Sequence, residues 1–147
     1  MGDARTDEAR MEVLAAARSI IAAFAGGRVD EYFSRFHPAA TFVFSETPVV
    51  LGSRDEYRAE WRRWVEEDGF EVLDCDSSDQ RAEVVGTTGV FTHTIVSRIR
   101  THDEVDESRE RETIVFARQD DGEWLAVHEH LSPAPQASEV SQGSDAV

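Results

Sequence analysis

Arg111-Glu-Thr-Ile-Val-Phe-Ala-Arg-Gln-Asp-Asp-Gly-Glu-Trp-Leu-Ala-Val-His-Glu-His-Leu-Ser132 is the stretch whose reading decides the fold. Apolar and polar residues alternate on both sides of Asp120-Asp121-Gly122, a tight-turn signal, so the segment predicts two antiparallel strands over residues 110–118 and 123–131. Alternation in the second strand places Trp124, Ala126, His128 and His130 on one face and Leu125, Val127, Glu129 and Leu131 on the other.

Working back from this hairpin, residues 70–76 and 80–85 read as one bent strand region and residues 90–100 as a long strand, with the acidic segment 101–108 as a solvated loop. Before the strands come helices. Val13, Leu14, Ala17, Ile20, Ile21 and Phe24 recur at three-and-four spacing, and Gly26-Gly27 stops that helix. Residues 29–36 give a shorter helical turn, closed before Pro38 because the residue preceding proline disfavours the helical conformation. Residues 41–45 and 49–51 predict short strands about Thr47-Pro48. Ser53-Arg-Asp-Glu56 has capping-box spacing and opens a helix with Tyr57, Trp61, Trp64 and Val65 on one face.

Helices followed by a run of antiparallel strands is an α+β order. One domain over residues 8–132 is expected, with a flexible lead at 1–7 and a small, polar, disordered tail at 133–147. Thirty acidic residues face fifteen basic ones, all Arg, for a net charge of −15. Such a surface repels phosphate backbones and anionic lipid, so neither nucleic acid nor a membrane is an expected partner. The chain has no lysine, which excludes a Schiff-base mechanism on its own side chains, and its single cysteine, Cys75, excludes an internal disulfide. With no apolar run approaching the roughly 18 residues of a membrane span and no leader-like start, a cytoplasmic location is expected.

The ending Trp124-x-x-Val127-His128-Glu129-His130-x-Ser132 resembles the last strand of the SnoaL-like branch of the nuclear transport factor 2-like (ketosteroid isomerase-like) superfamily. Gly27-Arg-Val-Asp-Glu-Tyr32 before Phe36-His-Pro-Ala-Ala-Thr-Phe42, and Leu51-Gly-Ser-Arg-Asp-Glu56 before the aromatic helix, are similar to family wording too. The resemblance implies a cone: a curved antiparallel sheet wrapped around the N-terminal helices, with a pocket at the open end and dimerisation through the outer sheet face. It does not name a chemistry, because this architecture carries many.

In the related association domain of calcium/calmodulin-dependent protein kinase II, the face corresponding to Leu125, Val127, Glu129 and Leu131 points inward. By that resemblance His128 and His130, with Trp124 on the same face, belong to the outer, dimer-forming face, and Phe91, His93 and Ile95 are expected to join them as apolar and histidine residues that a monomer would leave exposed. Arg98 falls where that domain has a pocket arginine, and an Arg98–Glu129 pair is the expectation, although its other pocket arginines stand here as Ile114 and Leu131. A ketosteroid isomerase is a poor match, since its acidic base aligns with Phe44 and the tyrosine of its first helix is missing.

Two carboxylates are candidates for acid–base work: Glu129, facing a cavity, and Glu46, which shares a strand face with Phe42 and Phe44 at the pocket rim. Tyr57, Trp61, Phe42, Phe44 and Arg98 are the candidate ligand contacts. His128 and His130 lack a clear third ligand, so no metal site and no cofactor are expected. The leading expectation is a homodimer holding a small organic molecule in an aromatic pocket. The alternatives are a proton-transfer enzyme of isomerase, cyclase or dehydratase type, and an assembly module with a vestigial pocket.

Overall fold

A computed structural model describes residues 4–135. Helix α1 (Ala4–Ala25) buries Val13, Ala17, Ile20 and Ala23, and the short α2 (Val29–Ser34) buries Tyr32 and Phe33. Strand β1 (Phe36–Val43) leads through a turn to α3 (Arg54–Arg63), whose last turn widens into a π-helical turn at Trp64–Asp68. Then come β2 (Glu71–Val85), β3 (Thr88–Thr101), β4 (Glu104–Arg118) and β5 (Trp124–Pro133). The five strands form one curved sheet in the order β1-β5-β4-β3-β2, antiparallel except for β1 against β5. The helices cover its concave side, which is the α+β cone expected.

Local chemistry explains the boundaries. Ser53 accepts a hydrogen bond from the Glu56 amide at 3.1 Å, and the Glu56 carboxylate reaches back to the Gly52 amide, one residue earlier than the standard box. The π turn ends at Gly69, whose φ of +65° stops the helix at no steric cost. Strand β2 is bent as expected: its register with β3 slips between Ser78 and Arg81, around Asp79 at φ +53°.

Four expectations need correction. Residues 4–7 are helical rather than a flexible lead. The acidic 101–108 segment is not a loop: β3 and β4 pair as far as Thr101 and Glu104 about a two-residue turn, with His102 and Asp103 both at positive φ. That geometry suits the right-handed twist of a hairpin, and neither residue is the glycine that would have announced it. β1 starts at Phe36 and runs through Pro38, with its ladder to β5 interrupted between Phe36 and Thr41. Of residues 49–51 only Leu51 pairs, bridging Phe42, while Val49 and Val50 are exposed. The expected disordered tail lies, from residue 136 on, outside the described residues. Ahead of it, the Ala134 amide donates to Arg109 O at 3.0 Å and Arg109 Nε donates to Pro135 O at 3.0 Å.

The close approach of α1 to the sheet depends on Gly89, where an added Cβ would lie 2.6 Å from Val13 Cγ2. Val13 is itself fully buried, so it has nowhere to move. Gly89→Ala is therefore expected to destabilise the fold by about 1–3 kcal/mol through overpacking. Chemical denaturation of the two proteins measures this, and an unchanged midpoint would show that α1 is not seated as described.

Candidate functional site: a buried carboxyl pair

The inner face of β3 presents Phe91, His93, Ile95 and Ser97, all buried, and the inner face of β4 presents Glu112, Ile114 and Phe116. On β5 the buried residues are Trp124, Ala126 and Glu129, which do not alternate. Val127 is the reason. Ala126 pairs Phe116 and His128 pairs Val115, so Val127 has no partner on β4, and this bulge swaps the faces of the strand midway. Trp124 and Ala126 enter the core before the bulge, Glu129 enters after it, and His128 and His130 face out.

The interface expectation is thereby corrected for part of its set. His93, Phe91, Ile95 and Trp124 are interior residues, with Trp124 Nε1 donating to Glu12 Oε1 at 3.0 Å beside α1. His128 and His130 remain outside, and Thr41 Oγ1 and His128 Nδ1 share a 2.7 Å hydrogen bond. The expected Arg98–Glu129 pair is absent. Arg98 points out of the cone and bonds Asp74 at 2.7 Å, with about half of each side chain exposed, a surface pair of little energetic weight. Glu46 sits exposed in the turn after β1.

What Glu129 meets instead is Glu112. The two residues are 3% and 7% exposed, and their carboxyls lie close enough to act on each other. Burial, then the charge of Glu112, holds the Glu129 carboxyl well above the usual carboxylate range, and a hydrogen bond with Tyr32 opposes this only in part. Glu129 Oε2 finds no donor among the N–H and O–H groups of the described residues, which leaves it to a proton shared with Glu112 or to a ligand.

Two hydrogen-bonded lines converge on the pair. On one side Tyr57 and Tyr32 join hydroxyls at 2.8 Å, both buried, both held above the usual phenol range by burial and then by the charge of Glu129. On the other, His93 Nε2 lies 2.6 Å from Glu112 Oε1, and His93 Nδ1 lies 2.6 Å from Ser77 Oγ. Near the rim Glu110, which accepts from Ser45 at 3.0 Å, is raised mainly by burial.

Aromatic rings enclose the tyrosine end. Tyr57 stacks with Phe42 at 4.5 Å, Phe33 and Phe44 at 4.9 Å, and Trp61 at 6.1 Å between centroids. Of the two indoles of this segment, Trp61 is the more buried, and Trp64 is half-buried against Phe44 and Phe70. Trp61 also floors a surface depression of about 410 Å³ bounded by Ala25–Gly27, Val29, Val65 and residues 70–73. A second depression of about 370 Å³ lies over α3, and neither has Glu112 or Glu129 in its wall.

Sequence reasoning turned Glu129 inward but set His93 on the outer face, and it did not single out Glu112, Ser77 or Tyr32. A usable signal existed. Phe91 and Ile95 alternate with Thr92, Thr94 and Val96, and Ile114 and Phe116 with Thr113 and Val115. The bulkier set belongs against the helices, and it carries His93 and Glu112 with it.

Because the folded chain binds the Glu129 proton more tightly than the unfolded chain does, its contribution to stability is complete below the ordinary carboxyl value of 4.5 and declines as pH rises towards the raised folded value. Glu129→Gln keeps a donor without the charge. The variant is expected to lose less stability than the parent between about pH 5 and about pH 8. Thermal melts across that range check it, and parallel curves for the two proteins would contradict the raised carboxyl.

Comparison with known proteins agrees with this architecture. A family model described as a SnoaL-like domain matches residues 13–136. Among solved structures, a candidate dehydratase of the nuclear transport factor 2-like family from Streptomyces avermitilis is 22% identical, with 88% of this chain and 99% of that one covered at a TM-score of 0.69. A ketosteroid isomerase-like protein from Erwinia carotovora atroseptica is 12% identical, covering 86% and 97% with a TM-score of 0.72. The hub homology domain of calcium/calmodulin-dependent protein kinase II from Chlamydomonas reinhardtii is 19% identical, covering 86% and 98% with a TM-score of 0.66. No curated protein matches. These identities speak for the fold, and the family match over most of the chain places it: the protein belongs to the SnoaL-like domain family.

Proposed function

We propose that this chain binds a small, largely apolar organic molecule inside the cone, with the Glu112–Glu129 carboxyls and the Tyr32 and Tyr57 hydroxyls as its polar anchor. The observation that carries this reading is the cluster itself: two carboxyls and two phenols buried side by side under a layer of aromatic rings, with Glu129 Oε2 lacking a donor. Burying two carboxyls together costs more than an apolar pair of similar volume would, so fold stability alone is a poor reason for them. The ligand's way in is the depression above Trp61, whose ring lies 5.6 Å from Tyr32 and 6.1 Å from Tyr57 between centroids.

The His93–Glu112 hydrogen bond favours a second, stronger form of the reading, in which the site also moves a proton. An imidazole and two carboxyls sharing protons can take one from carbon and deliver one to oxygen, the exchange that isomerisation and dehydration require. A single probe addresses both forms. 2-Tetralone is neutral and bicyclic, its carbonyl can accept from a protonated carboxyl, and its α-protons exchange under acid–base catalysis. Binding is expected to quench tryptophan fluorescence and to weaken by about tenfold or more in Glu129→Gln, equivalent to roughly 1.4 kcal/mol. Equal affinity in parent and variant would refute the anchor. Deuterium wash-in at the α-carbon no faster than in buffer would leave a binder without chemistry.

A homodimer through the outer sheet face belongs to the same proposal. That face carries Val96, Val115, Leu125 and His128, each only partly covered in the single chain, where a monomer would favour charge. Light scattering at micromolar concentration is expected to give twice the mass of the 16.5 kDa chain, and a monomer mass would exclude it.

A further inference from the structure

His93 is bonded through both ring nitrogens, and the line it belongs to continues outward. Arg18 Nε donates to Gln80 Oε1 at 2.9 Å, and Gln80 Nε2 donates to Ser77 Oγ at 2.8 Å. With His93 Nε2–H donating to Glu112 Oε1 at 2.6 Å, the neutral imidazole presents Nδ1 as an acceptor, and the Ser77 hydroxyl proton is donated to it at 2.6 Å. Each donor therefore points the same way, from the Arg18 guanidinium on α1 to the Glu112 carboxylate. Burial is graded along the line. Gln80 and Ser77 are half-buried on the edge strand β2, whereas His93, Glu112 and Glu129 are 3%, 7% and 3% exposed.

We propose that Ser77 and His93 form a proton path between solvent at the β2 edge and the buried Glu112–Glu129 pair, with Arg18 and Gln80 as positioning residues that fix its direction. The proposal rests on the reading of the carboxyl pair as the working groups of the site, and it adds the route by which they are reloaded while the cone stays closed. When the pair has lost its proton, a hydronium ion or buffer acid gives a proton to Ser77 Oγ as Ser77 passes its own to His93 Nδ1. His93 releases its Nε2 proton to Glu112 Oε1, and Glu112 shares it with Glu129. One proton leaves solvent and one arrives on the pair. His93 ends as its other tautomer, which the outward run restores. The groups facing the pair are His93 from β3, Glu110 from the rim of β4, Tyr32 from α2 and Tyr57 from α3; the two phenols are buried and lead into the aromatic layer, not to water.

The test is hydrogen–deuterium exchange of the Glu129 carboxyl, followed by the infrared carbonyl stretch of a protonated carboxyl after rapid mixing with D2O. Glu129→Gln assigns the band. In the parent the band is expected to shift much faster than the buried amides of β4 and β5 exchange. In His93→Gln it is expected to slow by about a hundredfold, the scale of a lost proton-transfer group. Ser77→Ala, a small change at a half-buried position, is expected to slow it likewise, and it carries the test if His93→Gln does not fold. Arg18→Gln should give a smaller slowing. A band that shifts equally fast in parent, His93→Gln and Ser77→Ala overturns the path, as does a parent band that exchanges only with the neighbouring amides. The two proposals fail separately: a path indifferent to Ser77 and His93 leaves 2-tetralone binding untouched, whereas unaltered tetralone affinity in Glu129→Gln leaves the exchange result standing.

Discussion

Two carboxyl groups placed together in a dry interior cannot both stay charged, and this constraint organises the centre of the molecule. No arginine reaches Glu112 or Glu129 among the described residues, since Arg98, the expected partner, is turned outward to Asp74. Neutralisation falls to a proton, and the surroundings determine where that proton sits. His93 is hydrogen-bonded to Glu112, while Glu129, deep in the core and beside the charge of Glu112, has its carboxyl raised well above the usual range and keeps the proton. His93 meets the pair directly, and Ser77 behind His93 and the Tyr32–Tyr57 hydroxyls on the other side extend the polar network that such a pair needs in order to be tolerated at all.

The backbone feature that makes the pair possible is one unpaired residue. Without the bulge at Val127, strict alternation would bury Trp124, Ala126, His128 and His130 and expel Glu129, or the reverse. With it, the strand supplies an indole against α1 at one end and a carboxyl to the cone at the other. The sequence 124–132 shows no glycine or other mark of this. Helices α1 and α3, the hairpin at Asp120–Gly122 and the α+β order were all legible, because periodicity and turn chemistry act within a few residues. The inward face of β3 was marked only by the bulk of Phe91 and Ile95, and what His93 meets there was not legible, because that depends on partners far away in the chain. His93 and Glu112, nineteen positions apart in sequence, are hydrogen-bonded only because the His102–Asp103 turn brings β3 and β4 into register.

The aromatic residues expected as ligand contacts divide along the same line. Tyr57, Trp61, Phe42 and Phe44 were readable as an aromatic group from spacing, and they do cluster. That they close the interior and leave shallow depressions outside it could not be read, because it depends on how rings from α2, β1 and α3 pack against one another, with Trp61 the more buried of the two indoles. The family's fold carries many chemistries, so the polar groups inside it are what distinguish this member.

The account stands on one proton shared by Glu112 and Glu129. Carbon-13 NMR of selectively labelled glutamate carboxyls, assigned through Glu112→Gln and Glu129→Gln, reads the protonation of each directly. The structure predicts that at neutral pH Glu129 carries the shift of a protonated acid, and that its signal moves when Glu112 is replaced. A Glu129 carboxyl that titrates in the ordinary carboxylate range, indifferent to Glu112→Gln, would contradict it.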